Sequence, residues 1–167
     1  MRKRGEPMEK AKQDRDEEIL QLVTFHVGDE EFGVEILDVR EINRMMEITR
    51  VPHAPDFVEG VINLRGQVIP VVDLRKRFGL GTIERDKNAR IVVVELGDKV
   101  VGFLVDSVSE VLRVPRSVVE PPPPIVGGID SEYIEAVVKL DDRLLILLDL
   151  QRLLTKTEAQ ELEGFDA

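Results

Sequence analysis

The residues of this sequence that could support catalysis or bind a metal do not form a recognised constellation. His26 and His53 lie in different local contexts, and neither has a second ligand at the spacing that a metal site needs. Ser107 and Ser109 lack the context of a nucleophile elbow, and no glycine-rich phosphate loop precedes a helix. The chain also has no cysteine. These side chains favour a protein that is not an enzyme, with no catalytic residues and no metal site.

A polar cavity is the alternative interpretation. Asp73, Asp106 and His53 could surround a cleft in a barrel that binds a small ligand or hydrolyses a substrate. Asp73 and Asp149, however, each precede a leucine-rich segment and have the position of a helix N-cap. We therefore favour a non-catalytic binding module without a cofactor, and keep the ligand-binding or hydrolytic barrel as the second hypothesis.

The best candidate for binding chemistry is Arg65, in the segment FVEGVINLRGQVIPVVDLRKRFGL at residues 57–80. Apolar runs flank Arg65-Gly66, which is the pattern of a β-hairpin whose turn needs the positive φ that glycine adopts readily. Asp73 then caps a short helix that ends at Gly79. The guanidinium at such a turn presents five donors in a planar fork, which suits a carboxylate or the C-terminal carbonyls of a helix on a partner.

The elements that position this hairpin occur twice in the chain. The hairpin returns as IEAVVKLDDRLLILLDLQRLL at residues 134–154, where Asp149 aligns with Asp73. The segment FHVGDEEFGVEILDVREI at residues 25–42 matches VELGDKVVGFLVDSVSEV at residues 94–111, with a slightly smaller spacing between the copies. Each copy has about five short strands and one helical turn, which favours a closed barrel over an open sheet. We predict an all-β fold with short helices, in which two small tandem barrels are related by an approximate two-fold axis.

Composition suggests where these barrels begin and end. Residues 1–17 have mixed charge and almost no large apolar side chains, which predicts a disordered tail. We assign residues 18–83 to the first barrel, residues 84–155 to the second, and residues 156–167 to a helical, fraying C-terminal tail. The run Pro121–Pro124 predicts an exposed loop, because proline cannot donate to a sheet ladder. The seam between the two barrels is where we expect a partner to bind.

The charge of the chain narrows the class of partner. Its 167 residues include 33 Asp and Glu against 23 Lys and Arg, which gives a formal net charge of −10. An anionic surface repels the phosphates of nucleic acids, and aromatic residues at 4% are too few to favour a base-stacking platform. Nothing in the sequence has the pattern of a signal peptide or a membrane span. We expect a cytoplasmic protein that binds other proteins, with no nucleic acid and no direct membrane insertion.

Four motifs together resemble the CheW-type chemotaxis coupling proteins. They are GDEEFGVEILDVREI at residues 28–42, FVEGVINLRGQVIPVVDLRKRFG at 57–79, VVGFLVDSVSEVL at 100–112 and LLILLDLQRLL at 144–154. The hairpin motif alone would also fit the regulatory domain of the chemotaxis kinase and the coupling half of CheV-type proteins. The short chain, without phosphoacceptor, ATP-binding or receiver segments, favours the free-standing adaptor.

The resemblance implies a fold and two partners. The fold is a pair of SH3-like five-stranded barrels, in a non-catalytic adaptor that is cytoplasmic and recruited to receptor arrays at the inner face of the membrane. The partners are the cytoplasmic tip of methyl-accepting chemoreceptors and the regulatory domain of the histidine kinase CheA. The receptor tip is a helical hairpin, so the implied contact is a helix in a groove at the seam.

The resemblance also implies which residues bind these partners. Gly60, Arg65 and Gly66 match receptor-coupling positions of the family, while Val39 and Glu41 match positions implicated in partner binding. The second copy departs from this pattern, because two aspartates replace the arginine and glycine of the turn. An anion therefore takes the place of the cation in an otherwise similar backbone plan.

Overall fold

The computed structural model of the chain describes residues 18–81, 86–122 and 131–157. The predicted N-terminal tail, the second half of the proline run and residues 158–167 lie outside the described residues. Within the described ranges the chain forms eleven strands and two short α-helices, so the predicted all-β fold with short helices is confirmed. No helix in these ranges is both long enough and apolar enough to cross a membrane.

The strands and helices are short and follow one another closely. The strands are β1 (Ile19–Val27), β2 (Glu30–Glu35), β3 (Val39–Arg44), β4 (Val58–Leu64), β5 (Gln67–Asp73), β6 (Arg90–Leu96), β7 (Lys99–Val105), β8 (Ser107–Pro115), β9 (Val119–Glu120), β10 (Ile134–Lys139) and β11 (Leu144–Leu148). The helices are α1 (Leu74–Arg77) and α2 (Leu150–Thr157), and 3₁₀ turns span Ile36–Asp38, Arg116–Val118 and Ser131–Tyr133.

The strands form two sheets, each of which closes on itself. The sheet that we call barrel A has the order β8-β1-β2-β11-β10-β9, and barrel B has the order β3-β6-β7-β5-β4. Barrel B closes where Thr49, beyond the end of β3, pairs with Val61 of β4 through backbone hydrogen bonds of 2.9 and 2.8 Å. Barrel A closes at the matching place, where β9 pairs with β10 through Glu120 and Val137. Apart from the two-residue β9, each barrel has five strands, as the family resemblance implies.

The barrels do not follow the predicted boundary after residue 83. Barrel B is the continuous segment 39–105, whereas barrel A combines residues 19–35 with residues 107–148. Each barrel therefore takes two strands from one sequence copy and three from the other. The chain crosses between barrels just before β3 and just before β8. A repeat in the sequence shows which segments are similar, but it does not show whether a strand pairs within its own copy or with a strand of the other copy. The predicted boundary is wrong for this reason.

Matched positions of the two copies make the same backbone contacts. Asp73 donates its backbone N–H to the carbonyl of Phe57 at 2.7 Å, and Asp149 donates to the carbonyl of Tyr133 at 2.8 Å. Phe57 directly precedes β4 and Tyr133 directly precedes β10. The alignment of the two hairpins found in the sequence therefore relates structurally equivalent residues.

The hydrophobic core continues from one barrel into the other. Phe25 and Phe32 of barrel A stack with ring centroids 6.1 Å apart, and Phe32 stacks on Phe78, which follows α1, at 5.3 Å. Phe78 in turn lies 6.4 Å from the ring of Tyr133. A smaller cluster, confined to barrel A, contains Leu20, Leu22, Val114, Ala136, Val138, Leu145 and Leu147. Packed apolar side chains thus join the two barrels along this aromatic row.

Candidate functional site

The predicted turn between β4 and β5 is present and holds Arg65 at its tip. Arg65 has a φ of 51° and Gly66 a φ of 88°, so both adopt the positive values of a tight hairpin turn. The side-chain Oδ1 of Asn63 accepts a hydrogen bond from the Gly66 N–H at 2.8 Å and fixes the turn. A Cβ at Gly66 would have no atom within 4 Å beyond its neighbours in the chain, so the tip is open to an approaching partner.

Strand β3 brings Glu41 to this tip. The pairing of β3 with β6 shifts register between Val39 and Glu41. The Arg65 guanidinium donates to Glu41 Oε2 and forms an ion pair with it. This hydrogen bond holds the pKa of the Glu41 carboxyl below its usual value. The side chain of Arg65 is 69% exposed against 21% for Glu41, so the cation is the outward member of the pair.

The other two predicted binding residues have supporting positions. Val39 is half-buried and packs against the main core, so it anchors the start of β3. Gly60 is buried with a φ of 146°, and a Cβ on it would lie 2.7 Å from the carbonyl carbon of Thr49 and closer still to its oxygen. Gly60 is therefore needed where barrel B closes, and it shapes the surface through the backbone. The structure brings Glu41, Arg65 and Gly66 together and places Val39 and Gly60 behind them.

The strands next to the ion pair also carry exposed apolar residues. Ile42 follows Glu41 on β3 and is exposed, and Val68, near the start of β5, is 65% exposed. Gln67, next to Val68, accepts a hydrogen bond from Arg40 at 2.8 Å, which ties β5 to β3. We refer to Glu41, Ile42, Arg65, Gln67 and Val68 as face B. The exposure of Ile42 could have been predicted from the alternation of buried and exposed residues along β3. The exposure of Val68 could not, because Val68 belongs to a run of apolar residues in which no residue stands out as exposed.

Barrel A carries a matching surface that the sequence interpretation missed. Arg143, just before β11, donates to Glu31 at 2.6 Å and also lies 3.6 Å from Glu110 of β8. Glu31 raises the pKa of the Arg143 guanidinium above its usual value. Val111 is exposed beside Glu110, and Leu144 beside Arg143 is 60% exposed.

We refer to Glu110, Val111, Arg143 and Leu144 as face A. The alignment of the two copies pairs Glu110 with Glu41 of face B, and Leu144 with Val68. The alignment did not pair Arg143 with Arg65, because Arg143 lies two positions later in its turn than Arg65 does. The aspartates at the aligned positions suggested a reversed charge, yet each face contains an arginine–glutamate pair, with exposed apolar residues next to it in the sequence.

Comparison with known proteins decides the family. The family model described as the CheW-like domain matches residues 21–158, nearly the whole described chain. The chain belongs to the CheW-like family. It is 38% identical to the chemotaxis protein CheW of Klebsiella aerogenes over 138 residues, covering 83% of each chain. It is 37% identical to that of Treponema pallidum over 150 residues, covering 87% of this chain and 88% of the relative.

A solved CheW structure has the same fold as this CheW-like chain. The crystal structure of the scaffolding protein TtCheW from Thermoanaerobacter tengcongensis superposes with a TM-score of 0.74 at 41% sequence identity. The match covers 80% of this chain and 86% of that one. Family, fold and repeat therefore agree on a chemotaxis protein built from two SH3-like barrels.

The side chains proposed for a polar cavity have local structural roles in this CheW-like protein. Asp73 caps α1, with its Oδ1 accepting from the Arg75 N–H at 2.9 Å. Asp106 accepts from the Gly28 N–H at 2.7 Å and pairs with the Arg75 guanidinium at 3.1 Å. His53 lies in an exposed turn with a φ of 64°. These contacts describe two carboxylates that hold a helix and a hairpin in place.

The other histidine and the acidic groups give no arrangement suited to a metal. His26 Nδ1 lies 2.9 Å from Ser109 Oγ in an exposed contact on barrel A, which is the setting of an ordinary surface hydrogen bond. In the part of the chain that the structure describes, no group of three or more His, Asp or Glu side chains is placed to hold a metal ion.

An acidic pocket lies where barrel A meets the crossing before β3. It has a volume of about 170 Å³, and its lining includes Glu35, Asp38, Glu135 and Asp149. Burial raises the pKa of the Glu135 carboxyl above its usual value, and the nearby charges of Glu35 and Asp149 raise it further. Burial also raises the pKa of Asp38. Protonation of Glu135 and Asp38 therefore favours the folded state.

Proposed function

We propose that the protein is a non-catalytic adaptor that couples methyl-accepting chemoreceptors to the histidine kinase CheA in bacterial chemotaxis. The observation that carries the proposal is face B, where the outward Arg65 of the Glu41–Arg65 ion pair lies in the same hairpin as the exposed Val68, and Ile42, next to Glu41 in β3, is exposed as well. An exposed arginine beside apolar side chains is typical of the energetically important part of a protein interface. The names of the relatives, which include chemotaxis proteins and a scaffolding protein, support the same conclusion.

Face B suits the helical tip of a receptor. The outward guanidinium of Arg65 can donate to a carboxylate or to the last carbonyls of a helix, and the bare backbone at Gly66 allows a helix to come close. Glu41 orients Arg65, Val39 anchors the strand that carries Glu41, and Gly60 sets the closure of barrel B beneath them. We assign the receptor tip to this surface in the cytoplasm, at arrays on the inner face of the membrane.

An adaptor also needs a second surface that can be occupied at the same time. Face A lies on the other barrel and repeats the chemistry of face B, with Arg143 between Glu31 and Glu110 and with Leu144 exposed. Two such faces on different barrels allow the protein to hold two partners without competition for one site. We assign the regulatory domain of CheA to the second surface.

The test is a binding experiment with a purified receptor-tip fragment and the CheA regulatory domain. Arg65→Glu should weaken receptor binding by on the order of 30-fold, the effect of losing about 2 kcal/mol at a central anchor. Binding of the CheA domain should change little, because face A is intact. Arg113→Ala, which removes an exposed arginine on β8, is the matched control.

Unchanged receptor binding by Arg65→Glu would remove Arg65 from the interface. If neither partner binds the parental chain, and a metabolite or metal raises its melting temperature, the ligand-binding barrel replaces the adaptor as the preferred function.

A further inference from the structure

The guanidinium of Arg77 lies between two aromatic rings from different barrels. Arg77 is the last residue of α1, and its Cζ is 4.8 Å from the ring centroid of Phe57, just before β4 of barrel B. It is also 4.8 Å from the ring centroid of Tyr133, just before β10 of barrel A. Its Nη2 donates a hydrogen bond to the Tyr133 hydroxyl oxygen. A guanidinium within about 6 Å of a ring centroid is attracted to the π face, so Arg77 links the barrels.

These two rings are equivalent members of the repeat. Phe57 and Tyr133 align in the two hairpin copies, and their carbonyls accept the same backbone hydrogen bond from Asp73 and Asp149. A group equidistant from two equivalent rings lies in the plane that bisects them, so Arg77 is placed equally with respect to both copies. The counterpart of Arg77 in the second copy is Leu153, which is fully buried. The contact is therefore asymmetric, with the cation supplied by the first copy.

We propose that Arg77 is a positioning residue that fixes the orientation of barrel A relative to barrel B, and with it the angle between face A and face B. Phe78, the next residue, packs separately on Phe32 and near Tyr133 in the shared core. Removal of the Arg77 guanidinium therefore leaves the barrels joined through the shared core but loosens their relative orientation.

The consequence for binding rests on the proposed adaptor function. Two partners that contact each other on one adaptor gain affinity only when the adaptor holds them at the required angle. A change at Arg77 should therefore weaken the ternary complex while leaving each binary complex almost unchanged. A contact residue on either face would behave differently, because its loss weakens one binary complex directly.

The orientation can be measured directly, because the chain has no cysteine. Spin labels on Asp29→Cys and Asp98→Cys occupy exposed, equivalent hairpin turns, one on each barrel. Pulsed electron–electron double resonance measures the distance between the two labels. The measurement is made on the parental chain, Arg77→Met, Arg77→Lys and the surface control Arg113→Ala, and circular dichroism verifies the fold of each. Methionine keeps a long apolar stem without the charge, and lysine keeps the charge without the planar fork.

We expect one narrow distance distribution for the parental chain and for Arg113→Ala. Arg77→Met should shift or broaden that distribution, with Arg77→Lys between the two. A folded Arg77→Met protein with the parental distribution would overturn the proposal. This measurement needs no partner, so its outcome is independent of the proposed function.

Binding measurements then test the link to coupling. In Arg77→Met, the affinity for each partner alone should stay within about twofold, and ternary complex formation should fall about fivefold or more. Ternary assembly at the parental level, together with a broadened distance distribution, would refute the link between orientation and coupling. Absence of binding to either partner by the parental chain would refute the adaptor function, while the spin-label distances would still decide the role of Arg77.

Discussion

Replacement of Gly60 by alanine should destabilise the protein much more than the same replacement at Gly66. Gly60 lies at a register shift between β4 and β5, next to Val61, whose backbone N–H and carbonyl pair with Thr49. A Cβ at Gly60 would clash with the Thr49 oxygen and lie 2.7 Å from its carbonyl carbon. Both atoms belong to the backbone, so the clash cannot be relieved by a side-chain rotation.

The structure sets the size of the effect. The φ of 146° at Gly60 is nearly restricted to glycine, and holding alanine there costs about 1–3 kcal/mol. Displacement of Thr49 also breaks its two backbone hydrogen bonds to Val61, which are worth about 0.5–1.5 kcal/mol each. The total loss is about 2–6 kcal/mol, a large part of the 5–15 kcal/mol that is typical of domain stability. At Gly66 only the backbone conformation is strained, which costs about 1–2 kcal/mol.

Urea denaturation followed by circular dichroism measures both losses, and hydrogen exchange locates them. In Gly60→Ala the amides of Thr49 and Val61 should lose protection before the other amides of barrel B. The reasoning is refuted if Gly60→Ala lies within about 0.5 kcal/mol of the parental protein, a margin of the size of ordinary surface substitutions. Equal losses for Gly60→Ala and Gly66→Ala would refute it as well.

Three further predictions concern the acidic pocket, face B and the shared core. Glu135→Gln should raise the unfolding free energy at pH 7, because the pKa of Glu135 is raised in the folded state and its charge opposes folding above that pKa. This gain in stability should vanish as the pH falls below the usual pKa of glutamate, and a gain that persists in acid would contradict the prediction. Glu41→Gln should lower the unfolding free energy by only about 0.2–1 kcal/mol at neutral pH. Urea titrations at several pH values should show that this difference is lost as the pH falls through the lowered pKa of Glu41, and that salt reduces it. Phe32→Ala should cost about 3–5 kcal/mol in thermal or urea unfolding, since its ring is fully buried between Phe25 and Phe78; a loss below about 1 kcal/mol would show that the row is not a core.

Features set by a few neighbouring residues could be predicted from the sequence. The turn at Arg65-Gly66, the cap at Asp73 and the helix end at Gly79 are all confirmed, because turn geometry and capping depend on adjacent residue types. The closure of each sheet into a barrel was predicted on similar grounds, since short strands with tight turns leave edges that need partners. Glu41 was chosen as a binding residue from the family resemblance, and its contact with Arg65 was not predicted.

Features that depend on pairing between distant segments could not be predicted. Both copies contain strands with the same apolar pattern, so β3 could pair with β1 of its own copy or with β6 of the other, and nothing in the pattern distinguishes the two. The arginine of face A was missed for a related reason. Arg143 and Arg65 occupy different positions in their turns, yet the first contacts Glu110 and the second contacts Glu41. An alignment compares sequence positions and does not show which side chains a flexible arginine can contact.

The exchange of strands explains how a duplicated barrel can serve as a rigid adaptor. Had each copy closed on itself, a single linker would join two independent barrels, and the angle between their faces would vary with that linker. Because each barrel contains strands of both copies, the chain crosses between barrels twice, and neither copy has a complete sheet without the other. The shared core, the aromatic row and the Arg77 contact then act on two bodies that are already tied at two points. The separation of the two faces is thus a property of the topology, and we expect their precise angle to depend on the side chains packed between the barrels.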